Sequence, residues 1–189
     1  MEMDKTQLGS LIAELQKTNF TPTVHRTVYP AISPTRPELN QSGRVVLISG
    51  GGTGIGKAIA QSFLAASASH VVIIGRRLEV LEATAAELRG ALPKHGSSTV
   101  LTYKGDMTSK PDIDSIFDDL ATKGLAVDVL VLNAAKFPTP GPMLDLGMDE
   151  LWTHMEANVK GPMLLAERFL KQNAEKKKVQ SPNIDHAIC

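Results

Sequence analysis

The stretch Arg44-Val-Val-Leu-Ile-Ser-Gly-Gly-Gly-Thr-Gly-Ile-Gly-Lys-Ala-Ile-Ala60 constrains the fold more than any other part of the chain. Val45 to Ile48 is a short apolar run that reads as a buried strand, and it breaks into glycines. Ile55, Ile59 and Phe63 then recur at helical spacing. A strand, a glycine turn and a helix together present unpaired backbone N–H groups and the positive end of a helix dipole to a phosphate. Gly50 takes the tight turn, Gly54 lets backbone approach a pyrophosphate, and Gly56 allows close helix–strand packing. This context favours dinucleotide binding over a plain glycine-rich loop. Gly51 to Lys57 also fits the first seven places of the P-loop pattern. The eighth place needs a hydroxyl for magnesium and holds Ala58, so a P-loop NTPase is a distant third reading.

The chain alternates strands and helices after this stretch. His70-Val-Val-Ile-Ile-Gly75 is a second buried strand, and Leu78, Leu81, Ala85 and Leu88 mark a helix. Thr99 to Tyr103 is a third strand, followed by a helix marked by Ile113, Ile116, Phe117 and Leu120. Val127 to Leu132 is a fourth strand, and a long fourth helix runs from Leu151 to about Leu170. Such alternation implies βαβ units, a parallel sheet and right-handed crossovers. The expected fold is α/β, a Rossmann-type doubly wound sheet of about four strands in the order 3-2-1-4, with an N-terminal extension. The expected division is 1–40 for a helix and a proline-rich arm, 41–178 for the nucleotide-binding domain and 179–189 for a tail. The N-terminal helix rests on Leu8, Leu11, Ile12 and Leu15. Thr21 to Asn40 carries Pro22, Pro30, Pro34 and Pro37 and is either an arm wrapping the domain or a disordered linker.

Charge and cysteine usage exclude several function classes. Twenty basic residues balance twenty acidic ones, which favours neither nucleic acid nor an anionic membrane as partner. The basic run Lys176-Lys177-Lys178 reads as a solvated helix end. The only cysteine is Cys189 and the five histidines are scattered, so no disulfide framework or metal cluster is expected. No stretch reaches the ~18 apolar residues of a membrane span, and no signal-peptide pattern opens the chain. A soluble, cytoplasmic protein is expected.

The end of the second strand addresses the ribose. An acid about twenty residues after the glycine loop would bind the 2′-hydroxyl of NAD, whereas arginine accommodates the 2′-phosphate of NADP. The chain has Gly75-Arg76-Arg77 there and no acid before Glu79. Either arginine is a candidate 2′-phosphate ligand, with solvated surface charge as the alternative, and NADP(H) is the expected cofactor. Asp106 and Asn133 both follow strands, which puts them at the carboxyl edge where open α/β sheets bind ligands. Asp106 has N-capping of the next helix as its competing role, although Thr108 or Ser109 would cap equally well. Asn133 has closure of its strand end as its own alternative.

Ser49-Gly-Gly-Gly-Thr-Gly-Ile-Gly56 resembles the T-G-x-x-x-G-I-G turn of the short-chain dehydrogenase/reductase family. Gly105-Asp106-Met107-Thr108 is similar to the segment whose Asp touches adenine. Leu132-Asn133-Ala134-Ala135 is similar to the N-A-G strand end, with alanine for glycine. Asn158-Val159-Lys160-Gly161 resembles the N-V-x-G of the helix that holds a catalytic Asn. The stretch Tyr29 to Leu39 resembles the N-terminal arm of fungal members. The four ordered motifs lie within a resemblance over about residues 20 to 178. It implies an NADP-dependent oxidoreductase acting on a small-molecule carbonyl or alcohol. It implies Asn158 as a catalytic residue and Ile55 and Lys160 as further cofactor contacts.

The family also uses Ser and a Tyr-x-x-x-Lys pair. Residues four on from Tyr29 and Tyr103 are Ser33 and Met107, so the 189 residues hold no such pair. The stretch after Lys178 contains Pro182 among polar residues and does not read as a central strand. The expectation is a chain carrying only the cofactor half and inactive alone, ended early by missed splicing or a frameshift. A deliberately short non-catalytic relative is the alternative. It would be a nucleotide-binding or interaction protein that self-associates through the exposed edge of strand four and helix four.

Overall fold

The computed structural model describes residues 10, 14, 21, 23–92, 98–138 and 141–179. The uninterrupted apolar run becomes strand β1 (Val45–Ser49), every residue of which is buried. A strand without polar alternation has to be covered on both faces, and here it is. Helix α1 (Gly54–Ala65) follows, then β2 (His70–Gly75), α2 (Leu78–Gly90), β3 (Thr99–Lys104), α3 (Lys110–Thr122) and β4 (Val129–Val131). The four strands form one parallel sheet in the order β3-β2-β1-β4. Val45–Ser49 runs in register with His70–Ile74 on one side, and Val46–Ile48 with Val129–Val131 on the other.

The pleat of β1 divides the core. Val45 and Leu47 face α3 through Ile113, Ile116, Phe117 and Leu120, together with Leu165 and Phe169 further along the chain. Val46 and Ile48 face α1 and α2 through Ala60, Leu64, Leu81, Ala85 and Leu88. The doubly wound α/β architecture and the strand order therefore stand as the sequence implies.

Two elements differ from the sequence-based expectation. β4 covers three residues, not the six from Val127 to Leu132. At its start the Asp128 carboxylate accepts the Val45 N–H at 2.8 Å. The N–H and C=O of Val127 are taken by the Gln172 side chain at 3.2 and 3.1 Å instead of by a strand. The fourth helix is also longer than 151–170. It comprises α4 (Met143–Met155), a π-helical turn at Glu156–Lys160 and α5 (Gly161–Val179). α4 breaks at Gly147, whose φ of 73° and ψ of 161° are open only to glycine without strain.

The chain divides into two compact units, Met1–Ser33 and Pro34–Cys189. Within the proline-rich stretch short 3-10 turns form at Pro30–Ile32 in the first unit and Pro37–Leu39 in the second. The helix expected over residues 1–20 lies outside the described residues, apart from Ser10 and Glu14, as does the tail from 180 onward.

Candidate nucleotide-binding site

All four strands point the same way, so the segments leaving them gather at one edge of the sheet. There they enclose a cavity of about 540 Å³. The glycine loop lies at its centre. Gly50 has φ +67 and Gly54 φ +52, both in the left-handed region that a side chain disfavours. A Cβ added at Gly54 would meet nothing within 4 Å, so this backbone borders open space. A Cβ at Gly56 would stand 2.3 Å from the Gly50 carbonyl oxygen and 2.7 Å from Asn133 Nδ2. Gly56 thus permits close packing, but of the helix start against the loop and the end of β4.

Ser49 ties β1 to the segment after β4. Its Oγ accepts the N–H groups of Asn133 and Ala134 at 2.9 and 3.0 Å and donates to the Val131 carbonyl at 3.3 Å. The Asn133 amide returns the contact, donating to the carbonyls of Ser49 at 3.0 Å and Gly50 at 3.4 Å. Asn133 therefore closes the strand end and lines the cavity as well.

On the other side of β1, Arg76 and Arg77 leave β2 at the cavity wall, both exposed. Neither guanidinium has a hydrogen-bond or ion-pair partner among the described residues. Asp106 leaves β3. Its Oδ1 accepts the N–H and hydroxyl of Thr108 at 2.9 and 2.8 Å. Ser109 is the residue that caps α3, accepting the Asp112 N–H at 3.4 Å. The Asp112 carboxylate in turn accepts the Asp106 N–H at 2.8 Å. That N–H, and next the Ser109 hydroxyl, hold the Asp112 pKa below the usual carboxylate range.

Asn158 stands in the π-helical turn and does not line the cavity. It grips Lys136 instead: its Oδ1 accepts the Lys136 N–H at 2.8 Å and its Nδ2 donates to the Lys136 carbonyl at 2.7 Å. Such turns recur at functional positions because they re-aim one side chain without ending a helix. Lys160 is exposed, lies 3.5 Å from Glu156 and is outside the cavity wall. Of the other expected contacts, Gly50, Gly54, Ile55, Gly56, Arg76, Arg77, Asp106 and Asn133 share that wall. Lys57 pairs with Glu87 of α2 and is not among the lining residues, unlike the phosphate-facing lysine a P-loop requires.

The far end of the cavity was not read from the sequence. It is formed by Lys136 and Phe137 after β4 and by Thr153, Glu156 and Ala157. Lys136 had a signal, since it directly follows the Asn133 strand end. Thr153 and Glu156 lie within the helix expected from Leu151 onward, but nothing in its spacing marked them as facing the cavity. Tyr103 offers no acid to this site. Its hydroxyl donates to Asp119 Oδ2 at 2.6 Å, outside the cavity, and burial followed by that carboxylate pushes its pKa up.

Comparison with known proteins gives concordant results. Residues 44–180 match the family model described as short chain dehydrogenase. The short chain dehydrogenase pigC of Monascus ruber is 31% identical over 153 residues, which cover 80% of this chain and 50% of that protein. The short chain dehydrogenase/reductase dpfgG of Gibberella zeae is 37% identical over 127 residues, 67% of this chain and 44% of the relative. The chain thus spans about half the length of these curated relatives. Among solved structures, a metagenomic short-chain oxidoreductase in complex with NADP superposes with a TM-score of 0.63 at 29% identity, covering 72% of this chain and 58% of the other.

Proposed function

We propose, from the premise that this chain belongs to the short-chain dehydrogenase family, that residues 41–178 are the NADP(H)-binding half of an oxidoreductase acting on a carbonyl or alcohol. One observation carries the cofactor choice. Two arginines without described partners flank the glycine-loop cavity where a 2′-phosphate belongs, and the sequence places no acid at the end of β2 before Glu79. The solved relative that holds NADP supports the same reading.

The roles follow from position. Backbone at Gly50, Gly54, Ile55 and Gly56 faces the pyrophosphate, with the α1 dipole favouring its charge. Arg76 or Arg77 pairs with the 2′-phosphate and Asp106 borders the adenine. Asn133 holds the nicotinamide side of the loop in shape. Asn158 fixes Lys136 by both of its backbone groups. Lys160 is left as a weaker candidate contact because it lies outside the wall. NADP(H), when bound, supplies or accepts a hydride. The 189 residues offer no Tyr-x-x-x-Lys pair to move the accompanying proton. Titrating NADPH and NADH into the chain tests the reading, and equal affinities would overturn the NADP assignment.

A second reading is favoured by α4 and α5. Met148, Trp152, Met155, Val159 and Met163 are all exposed, at spacings of three and four through α4, the π-helical turn and α5. β4 is also an outer strand of the described sheet. A nucleotide-binding protein that self-associates through these surfaces would use both features.

A further inference from the structure

The cavity has two unlike ends. Arg76, Arg77 and Asp106 follow β2 and β3, whereas Lys136 and Phe137 follow β4, on the opposite side of β1. With a dinucleotide's pyrophosphate on the glycine loop and its 2′-phosphate at Arg76 or Arg77, the other end adjoins the reacting ring. Any ligand assigned to that end rests on this NADP(H) reading of the site.

Three properties define this end. Its walls include Ala134, Ala135 and Ala157, which bring no side chain larger than a methyl group. Phe137 lines the same end with 83% of its surface exposed, so its ring face is open to a ligand. Lys136 supplies the polar group. Its ammonium has three N–H donors. Thr153 Oγ1 accepts one, and the Glu150 carboxylate lies 3.2 Å away to take a second. The third has no acceptor among the described residues. The other polar side chains here are occupied: the Thr153 hydroxyl also donates to the Glu150 carbonyl at 2.8 Å, and Glu156 lies 3.5 Å from Lys160. The clamp of Asn158 on the Lys136 backbone fixes where this side chain leaves the loop.

We propose that this end receives a flat aromatic ring bearing an oxygen acceptor, an aryl ketone or the matching alcohol. Phe137 is the ring's platform and the third N–H of Lys136 donates to its oxygen. Both are specificity-determining residues. The alanines exclude nothing flat, and a puckered saturated ring would lose the stacked contact with Phe137. The Lys136–Glu150 pair, both partners partly exposed, holds the ammonium only weakly and lets it lean toward the ligand.

The test uses the 189-residue chain loaded with NADP+, with cofactor affinity measured first. Three probes are titrated by saturation-transfer NMR: 1-tetralone, its saturated counterpart 1-decalone, and tetralin, which lacks the oxygen. 1-Tetralone should bind about three- to tenfold more tightly than 1-decalone and roughly tenfold more tightly than tetralin. Phe137→Ala should erase the first preference. Lys136→Met should erase the second and Lys136→Arg should keep it, with the three probes compared in each variant at saturating NADP+. Equal binding of 1-tetralone and 1-decalone overturns the inference. So does undetectable 1-tetralone binding to a chain that binds NADP+, or unchanged preferences in the variants. Failure to bind NADP+ refutes the cofactor reading itself, and this inference falls with it.

Discussion

On the proposed NADP(H) reading, Arg76 and Arg77 make the cofactor choice a question of single side chains. A charge-assisted contact to phosphate contributes about 1.5–3 kcal/mol, so NADPH should bind roughly tenfold to a hundredfold more tightly than NADH. Arg76→Asp should reverse or remove that preference if Arg76 is the main ligand, and Arg77→Asp should do so if Arg77 is. Calorimetry with both cofactors separates the cases. Gly54→Val should abolish cofactor binding with the circular dichroism spectrum retained, because a side chain there enters the open space over the loop. Ser49→Ala leaves two part-buried N–H groups, those of Asn133 and Ala134, without their acceptor. The expected loss is about 1–3 kcal/mol in chemical denaturation. The shared place of the glycines, the arginines, Asp106 and Asn133 at one cavity wall was legible in the sequence because each follows a strand and the carboxyl edge of a parallel sheet collects such residues. The tie made by Ser49 was not, since its partners lie more than 80 positions away. The grip of Asn158 on Lys136 was hidden for a similar reason, joining a loop to a helix across 22 positions.

The strands show how far pattern alone carries. β2 was legible residue for residue because its apolar run is bounded by His70 and Gly75. β4 is shorter than its apolar run, since Gln172 takes both backbone groups of Val127. The start of the fourth helix was obscured by Pro142 and Gly147, which read as loop but stand beside and within a helical stretch. The turn into α3 carries a pH dependence. Asp112 has its pKa lowered in the folded state by the Asp106 N–H and the Ser109 hydroxyl. A group with a depressed folded pKa contributes stability above its unfolded value and loses it as pH falls through the folded one. Stability should therefore decline below about pH 4, and Asp112→Asn should flatten that decline. Urea midpoints measured between about pH 5 and 2 check this; acid limbs that coincide for the two proteins would contradict it.

Three features stand out in the chain as a whole: a sheet whose described strands end at β4, an exposed apolar stripe along α4 and α5, and a cavity whose wall carries no tyrosine. The first two predict concentration-dependent self-association in sedimentation velocity, weakened by charging the stripe with Trp152→Glu and Met163→Glu. A monomer at every concentration would argue against it. The third predicts no NADPH oxidation with 1-tetralone by these 189 residues, because Tyr103 is committed to Asp119. The central claim is that the glycine-loop cavity binds a dinucleotide carrying a 2′-phosphate. Calorimetric titration of NADPH and NADH into the chain, repeated with Gly54→Val, tests it most directly. The account predicts saturable binding of NADPH, weaker binding of NADH by at least about tenfold, and none of either to the variant. Equal affinities for the two cofactors, or binding of NADPH that survives the valine, would contradict it.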